Sequence, residues 1–152
     1  MLLSQLLVPA RVRVPLTSRD KSSVLRELVD LLVSTAGGDA DDILHSVRDR
    51  EECQSTGFGY GVAIPHARTP TLEELTMVAG TAPEPIEFSA LDGQPVRLLF
   101  LVVGPESAAG AQVRALARIA RLVRRDAVRD RLLKAPTAEE FHQLIRDSEG
   151  SS

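Results

Sequence analysis

Val12, Val14 and Leu16 alternate with Arg11, Arg13 and Pro15. This period-two pattern predicts a half-buried strand, and the proline, which cannot donate to a ladder, puts it near a sheet edge. The period then changes. Val24, Leu25, Leu28, Leu31 and Leu32 recur at helical spacing, Thr17 or Ser18 stands where a cap is needed, and Gly37-Gly38 offers a left-handed stop. A second helix begins near residues 39–42 and turns Ile43, Leu44 and Val47 inward, so Arg50 emerges at its carboxyl end beside a glycine-rich segment.

Beyond that segment, Thr76 to Thr81 predicts a short strand, which the proline-bearing stretch 82–85 breaks before Ile86 and Phe88 resume it. Asp92-Gly93 is a turn signal. Val96 to Val103 is nearly all apolar, as expected of a central strand covered on both faces. A helix from about Ala109 to Val123 is expected to turn Val113, Leu116, Ala117 and Ala120 inward, and a shorter one spans roughly Ala127 to Lys134. Thr137 and Glu140 form a capping box ahead of Phe141, Leu144 and Ile145. Residues 1–147 read as one domain and 148–152 as a frayed tail.

Composition narrows the class. A chain of 152 residues suits one domain that buries roughly two thirds of its unfolded surface. Leu, Val and Ala dominate, which favours an α/β fold with helices layered on a sheet. The net charge of −3 and pI near 5.6 argue against a nucleic-acid partner. The arginines at 121, 124, 125, 129 and 131 are interrupted by aspartates and apolar residues and read as a solvated helix face. The lone Cys53 cannot form an internal disulfide; it fits a reducing compartment and reads as a small buried hydrophobe. The apolar start lacks the basic residues of a signal peptide, and Leu98 to Val103 is far shorter than the ~20 residues a membrane span needs. A cytoplasmic protein without direct membrane insertion is therefore expected.

The segment Ser55-Thr-Gly-Phe-Gly-Tyr-Gly-Val-Ala-Ile-Pro-His66 concentrates the chemistry. Gly57, Gly59 and Gly61 forbid an ordinary helix and allow close backbone approach, and Val62-Ala63-Ile64 leads into Pro65 and His66, which puts the imidazole at a strand's end. The glycines lack the spacing of a nucleotide-binding fingerprint and lead into a strand, so no helix terminus awaits a phosphate. His45, His66 and His142 lie in separate elements, which leaves no metal site, and no nucleophile elbow is present. Two readings of His66 stay open: a hydrogen-bonded structural histidine, or a nucleophile towards phosphorus, since neutral imidazole attacks near neutral pH. In the second, the fork of Arg50 supports phosphoryl oxygens, with backbone amides of Thr56, Gly57, Gly59 and Gly61 as added donors. In the first, Arg50 serves the helix dipole or Glu51. Phe58 and Tyr60 are candidates for an exposed apolar rim, and Phe58 equally for the core. His45 and His142 read as surface or satisfied histidines.

Arg50-Glu51 followed by the Ser55 to His66 segment resembles the signature of the fructose/mannitol-type (type 2) IIA domains of the bacterial phosphoenolpyruvate-dependent sugar phosphotransferase system, a family that includes the nitrogen-regulatory IIA proteins. The likeness extends through Lys21 to Leu28, Asp92-Gly-Gln-Pro-Val96, Gly104-Pro-Glu106, Leu116 to Ala120 and the last helix. It implies a mixed central sheet flanked by helices on both faces. It implies a phosphotransferase component without cofactor, in which His66 takes a phosphoryl group from the phosphocarrier HPr, usually on Nε2. The group then passes to a IIB domain or, in the regulatory branch, its presence controls binding to a target protein. Arg50 matches the family arginine that steadies the phosphoryl group. Gln112 stands where a second histidine is usual, as an auxiliary hydrogen-bond donor that cannot become a cation, and Tyr60 stands where asparagine is usual.

Overall fold

The computed structural model describes residues 2–150. Its elements run α1 (Leu3–Leu6), β1 (Val12–Arg13), α2 (Lys21–Ala36), α3 (Ala40–Cys53), β2 (Gly57–Gly59), β3 (Val62–Ala63), β4 (His66–Arg68), β5 (Thr76–Ile86), β6 (Val96–Gly104), α4 (Ala109–Val123), α5 (Asp126–Lys134) and α6 (Ala138–Gly150). The strands form one mixed sheet in the order β1-β5-β6-β3-β2, with β4 also on β6. β5 and β6 are antiparallel, whereas β1 on β5 and both β3 and β4 on β6 are parallel. This is the α/β architecture expected, with helices on both faces of a mixed sheet.

The apolar run of β6 explains the layering. Successive side chains of a strand point to opposite faces. Leu99, Leu101 and Val103 join the core under α2 and α3, and Leu98, Phe100 and Val102 join the core under α1, α4, α5 and α6. A strand apolar on both faces needs helices on both faces, so this run alone fixes three layers.

Several local expectations shift. β1 has two residues, because the chain leaves the ladder after Arg13, although the Leu16 N–H still donates to Thr81 O at 2.8 Å. Asp20 caps α2, accepting from the Ser23 N–H at 2.8 Å, while the N–H groups of Thr17 and Ser18 donate to the Glu27 carboxylate. The prolines do not break β5; Pro83 and Pro85 fall within its exposed stretch, and a register shift between Thr81 and Ile86 absorbs them. Helix α4 turns Gln112, Ala115, Ile119, Leu122 and Val123 inward and leaves Val113 exposed. It carries two neighbouring apolar stripes, and the one containing Ile119 and Leu122 wins the core. Cys53 is exposed, not buried, because it lies on the outer side of the last turn of α3. Residues 148–150 are helical where a frayed tail was expected, and Glu149 accepts from the Leu3 and Ser4 N–H groups, pinning α1 to α6. Ser151 and Ser152 lie outside the described residues.

Phe100 is fully buried at the centre of the second core, 6.2 Å from the ring of Phe141. Phe100→Ala is expected to lower unfolding free energy by about 3–5 kcal/mol in urea denaturation. A loss below about 1 kcal/mol would contradict a closed layer there.

Candidate active site

β3 and β4 run along β6 in a single register, from Val62 opposite Leu98 to His66 opposite Val102 and Arg68 opposite Gly104. Pro65 interrupts the ladder because it has no N–H, yet its carbonyl accepts the Val102 N–H at 3.0 Å and keeps the register. His66 therefore opens a second strand segment; it does not end the first. The half-buried imidazole stands where Pro65 limits backbone freedom and the central strand fixes its height.

Nδ1 of His66 is 2.9 Å from Ile64 O. A carbonyl oxygen only accepts, so Nδ1 carries the proton and the lone pair of Nε2 is left free. Burial pushes the pKa of His66 below the ordinary histidine value; the bond to Ile64 O and the Glu51 charge oppose this, and the positive charges of Arg50 and Arg68 reinforce it. A ring with these neighbours is neutral at pH 7 and nucleophilic at Nε2.

His66 and Arg50 share a groove of about 400 Å³, walled by the segment from Ser55 to Phe58, by Leu91, and by Leu116 and Ala117 of α4. One Nη of Arg50 donates to Gln54 O at 2.8 Å, at the carboxyl end of α3, and the guanidinium has further N–H groups to offer an anion. Glu51 is engaged elsewhere. It is buried, pairs with Lys21 Nζ at 3.0 Å, and accepts from the Thr56 N–H at 2.8 Å and the Thr56 hydroxyl at 2.5 Å. Lys21 also donates to Phe88 O and lies over the Phe88 ring. This ion pair ties α2, α3 and the 55–57 segment into one wall. The consecutive Arg50-Glu51 thus divide their work between groove and scaffold, which Lys21 in sequence did not reveal.

The expected backbone cradle does not assemble. The Thr56 N–H is held by Glu51, and the Gly57 N–H donates to Ser55 Oγ at 3.0 Å. Gly59 and Gly61 lie at the turn between β2 and β3, outside the groove, where φ values of 103° and 76° flank Tyr60 at 59°. Gly57 is there for space, because a Cβ would stand 2.5 Å from that of Ala90.

Gln112 also differs from expectation. It is only 4% exposed, and its amide nitrogen donates to Ala67 O at 2.7 Å and Val102 O at 3.2 Å. Both amide hydrogens are thereby spent joining β4 to β6 beside His66, and none is left for a phosphoryl oxygen. Its Oε1 faces Arg68 Nε at 3.4 Å, while Arg68 Nη1 pairs with Glu106 at 2.9 Å. Arg68 is the second cation near the imidazole, a position readable from sequence because residues two apart on a strand share a face. Tyr60 is 57% exposed under Arg129, Phe58 is half-buried under Arg124, and His142 is satisfied by Ser4 O, whereas His45 is exposed beside Asp49.

The sequence matches the family described as "Phosphoenolpyruvate-dependent sugar phosphotransferase system, EIIA 2" over residues 5–148. A nitrogen regulatory protein of Pseudomonas aeruginosa is 38% identical over 146 residues, which cover 95% of each chain. The fructose-specific EIIABC component of Bacillus subtilis is 31% identical over 95% of this chain and 23% of its own. Among solved structures, the nitrogen regulatory protein IIA-Ntr from Neisseria meningitidis superposes with a TM-score of 0.88 at 29% identity, covering 94% of this chain and 98% of that one. The mannitol IIA of Escherichia coli, at 16% identity and a TM-score of 0.78 over 91% and 97% of the two chains, shares the fold.

Two measurements test this geometry. In a nuclear magnetic resonance titration, His66 is expected to protonate with a midpoint below 6.5, and Arg50→Gln or Arg68→Gln to move it upward. Because the folded-state value is depressed, protonation opposes folding, so stability falls as pH drops below about 6.5 and this loss disappears in His66→Gln. Gln112→Leu is expected to cost about 1–3 kcal/mol of stability by stranding two carbonyls, while phosphoryl acceptance from a small donor persists. Lost acceptance with intact stability would instead make Gln112 a phosphate ligand.

Proposed function

We propose, from the premise that this chain belongs to the type 2 EIIA family of the phosphoenolpyruvate-dependent sugar phosphotransferase system, that His66 is its phosphoryl acceptor and that HPr is the donor. The observation that carries this reading is the bond from Nδ1 to Ile64 O, which presents a neutral ring with its Nε2 pair directed for attack. The Nε2 pair forms a bond to phosphorus as the nitrogen–phosphorus bond of the donor phosphohistidine breaks, and the departing imidazole keeps that pair. Positive charge then develops on the His66 ring, and the Ile64 carbonyl dipole stabilises it through the Nδ1 proton. Arg50 and Arg68 attract the phosphoryl oxygens and share their charge. Onward transfer to a IIB domain breaks the Nε2–phosphorus bond as the acceptor's nucleophile bonds to phosphorus, and Nε2 recovers its pair. The packed chain acts as one such domain, in the cytoplasm with its donor.

A second reading is favoured by the Pseudomonas and Neisseria relatives, which this chain covers to 95% and 98% of their length and which are named nitrogen regulatory proteins. In it the same phosphorylation occurs, and the output is binding to a regulatory protein in one phosphorylation state. The chemistry at His66 is common to both.

Incubation with phosphoenolpyruvate, enzyme I and HPr is expected to place one acid-labile phosphoryl group on the protein. His66→Ala is expected to abolish it, and Arg50→Gln to slow its arrival by about 10-fold or more. Unchanged labelling of His66→Ala would refute the assignment.

A further inference from the structure

The charge on this chain is strongly segregated. Residues 109–134 hold eight Lys and Arg against two Asp, a net of +6, which leaves ten basic against nineteen acidic residues elsewhere, a net of −9. Part of the basic excess gathers around a depression of about 580 Å³ between α4, the carboxyl end of α6 and α1. Arg118, Arg121 and Arg125 stand around it, and Leu3 and Leu122 supply its apolar floor. It is larger than the groove of about 400 Å³ at His66 and shares no lining residue with it. Helix α4 divides the two, since Ala117 and Ala120 face the groove and Arg118 and Arg121, one residue on, are turned about 100° away.

The cations of this depression lack counter-charges. Arg118 and Arg121 are exposed and enter no hydrogen bond or ion pair among the described residues. Arg125 donates to Ser148 O at 3.2 Å. The one acidic side chain in the lining, Glu149, accepts from the Leu3 and Ser4 N–H groups and pairs with neither Arg118 nor Arg121. Like charges three and four positions apart on a helix repel, and an ordinary surface interleaves carboxylates, as Arg26 and Asp30 do on α2. An anion seated between the arginines relieves that repulsion.

Each guanidinium presents a planar fork of N–H donors that matches phosphate oxygens in pairs. From Arg118 to Arg125 the helix rises about 10 Å, which suits adjoining phosphates better than one small ion. Leu3 and Leu122 offer such phosphates nothing, and they suit an apolar body carried beside them. The volume lies within the range of about 300–1,000 Å³ typical of small-molecule sites. Duplex nucleic acid is the poorer fit, because the basic surface is a short recess and the −9 remainder repels a long phosphate backbone.

We propose that this depression binds a small organic diphosphate of the nucleoside diphosphate class, with Arg118 and Arg121 holding the phosphates and the body resting over Leu3 and Leu122. The proposal goes beyond the reading of His66 and does not depend on it, since the two sites share no residue.

The probe is ADP without divalent cations, set beside adenosine, which has the body without the charge, and inorganic pyrophosphate, which has the charge without the body. Binding is followed by calorimetry and by the leucine methyl signals in nuclear magnetic resonance. ADP is expected to shift Leu3 and Leu122 while Leu91 and Leu116 at the His66 groove stay in place, and to bind about 10-fold or more tightly than either fragment. Arg118→Gln/Arg121→Gln is expected to weaken ADP by about 10-fold or more. Arg114→Gln/Arg131→Gln, an equal change of charge outside the depression, is expected to cost less than about twofold, because exposed charges at a distance are screened. No binding at millimolar ADP, pyrophosphate as tight as ADP, equal losses in the two double variants, or shifts confined to the His66 groove would each overturn the proposal. None of these results bears on phosphorylation of His66, which is read by labelling.

Discussion

The hydrogen bond between Nδ1 of His66 and the carbonyl of Ile64 decides which nitrogen of the ring is a base. It forms only if the chain turns at Pro65 while staying in register with β6, because the carbonyl two residues back must come level with the ring. β6 supplies that register, and it can do so because it is apolar on both faces and buried between two helical layers. The three-layer fold, the proline and the tautomer of one imidazole are thus one chain of dependence. Gln112 closes it by joining the Ala67 and Val102 carbonyls, so that β4 cannot slide from its neighbour.

Much of this was legible in the residues. The period-two, helical and continuous apolar patterns located β6 and the helices that cover it, since the burial of long apolar segments leaves little choice. Arg50 emerged beside the groove as the helical spacing from Ile43 required. Short-range detail was less legible, because several residues compete for each local role. Asp20, not Thr17 or Ser18, caps α2 because Glu27 holds Thr17 and Ser18 in the approaching loop and the helix starts only at Lys21. The glycines looked like an anion cradle, yet the Thr56 amide was claimed by Glu51 and the Gly57 amide by Ser55 Oγ, and side-chain partners of that kind leave no periodic trace. Gln112 looked like a ligand because of where it falls in the chain, and its burial made it a strut.

A net charge of −3 concealed the division between a basic α4–α5 segment and an acidic remainder, because a sum carries no spatial information. The two proposed outputs, transport and regulation, share everything up to the loaded histidine and differ only in which surface meets it next.

The central claim is that the resting ring is neutral, protonated at Nδ1 and open at Nε2. A long-range proton–nitrogen correlation spectrum of the unphosphorylated protein at neutral pH reads this directly. The expected result is a protonated Nδ1 and an unprotonated Nε2 on His66, with phosphorus appearing on Nε2 after charging. A proton on Nε2, or phosphorus on Nδ1, would contradict the account.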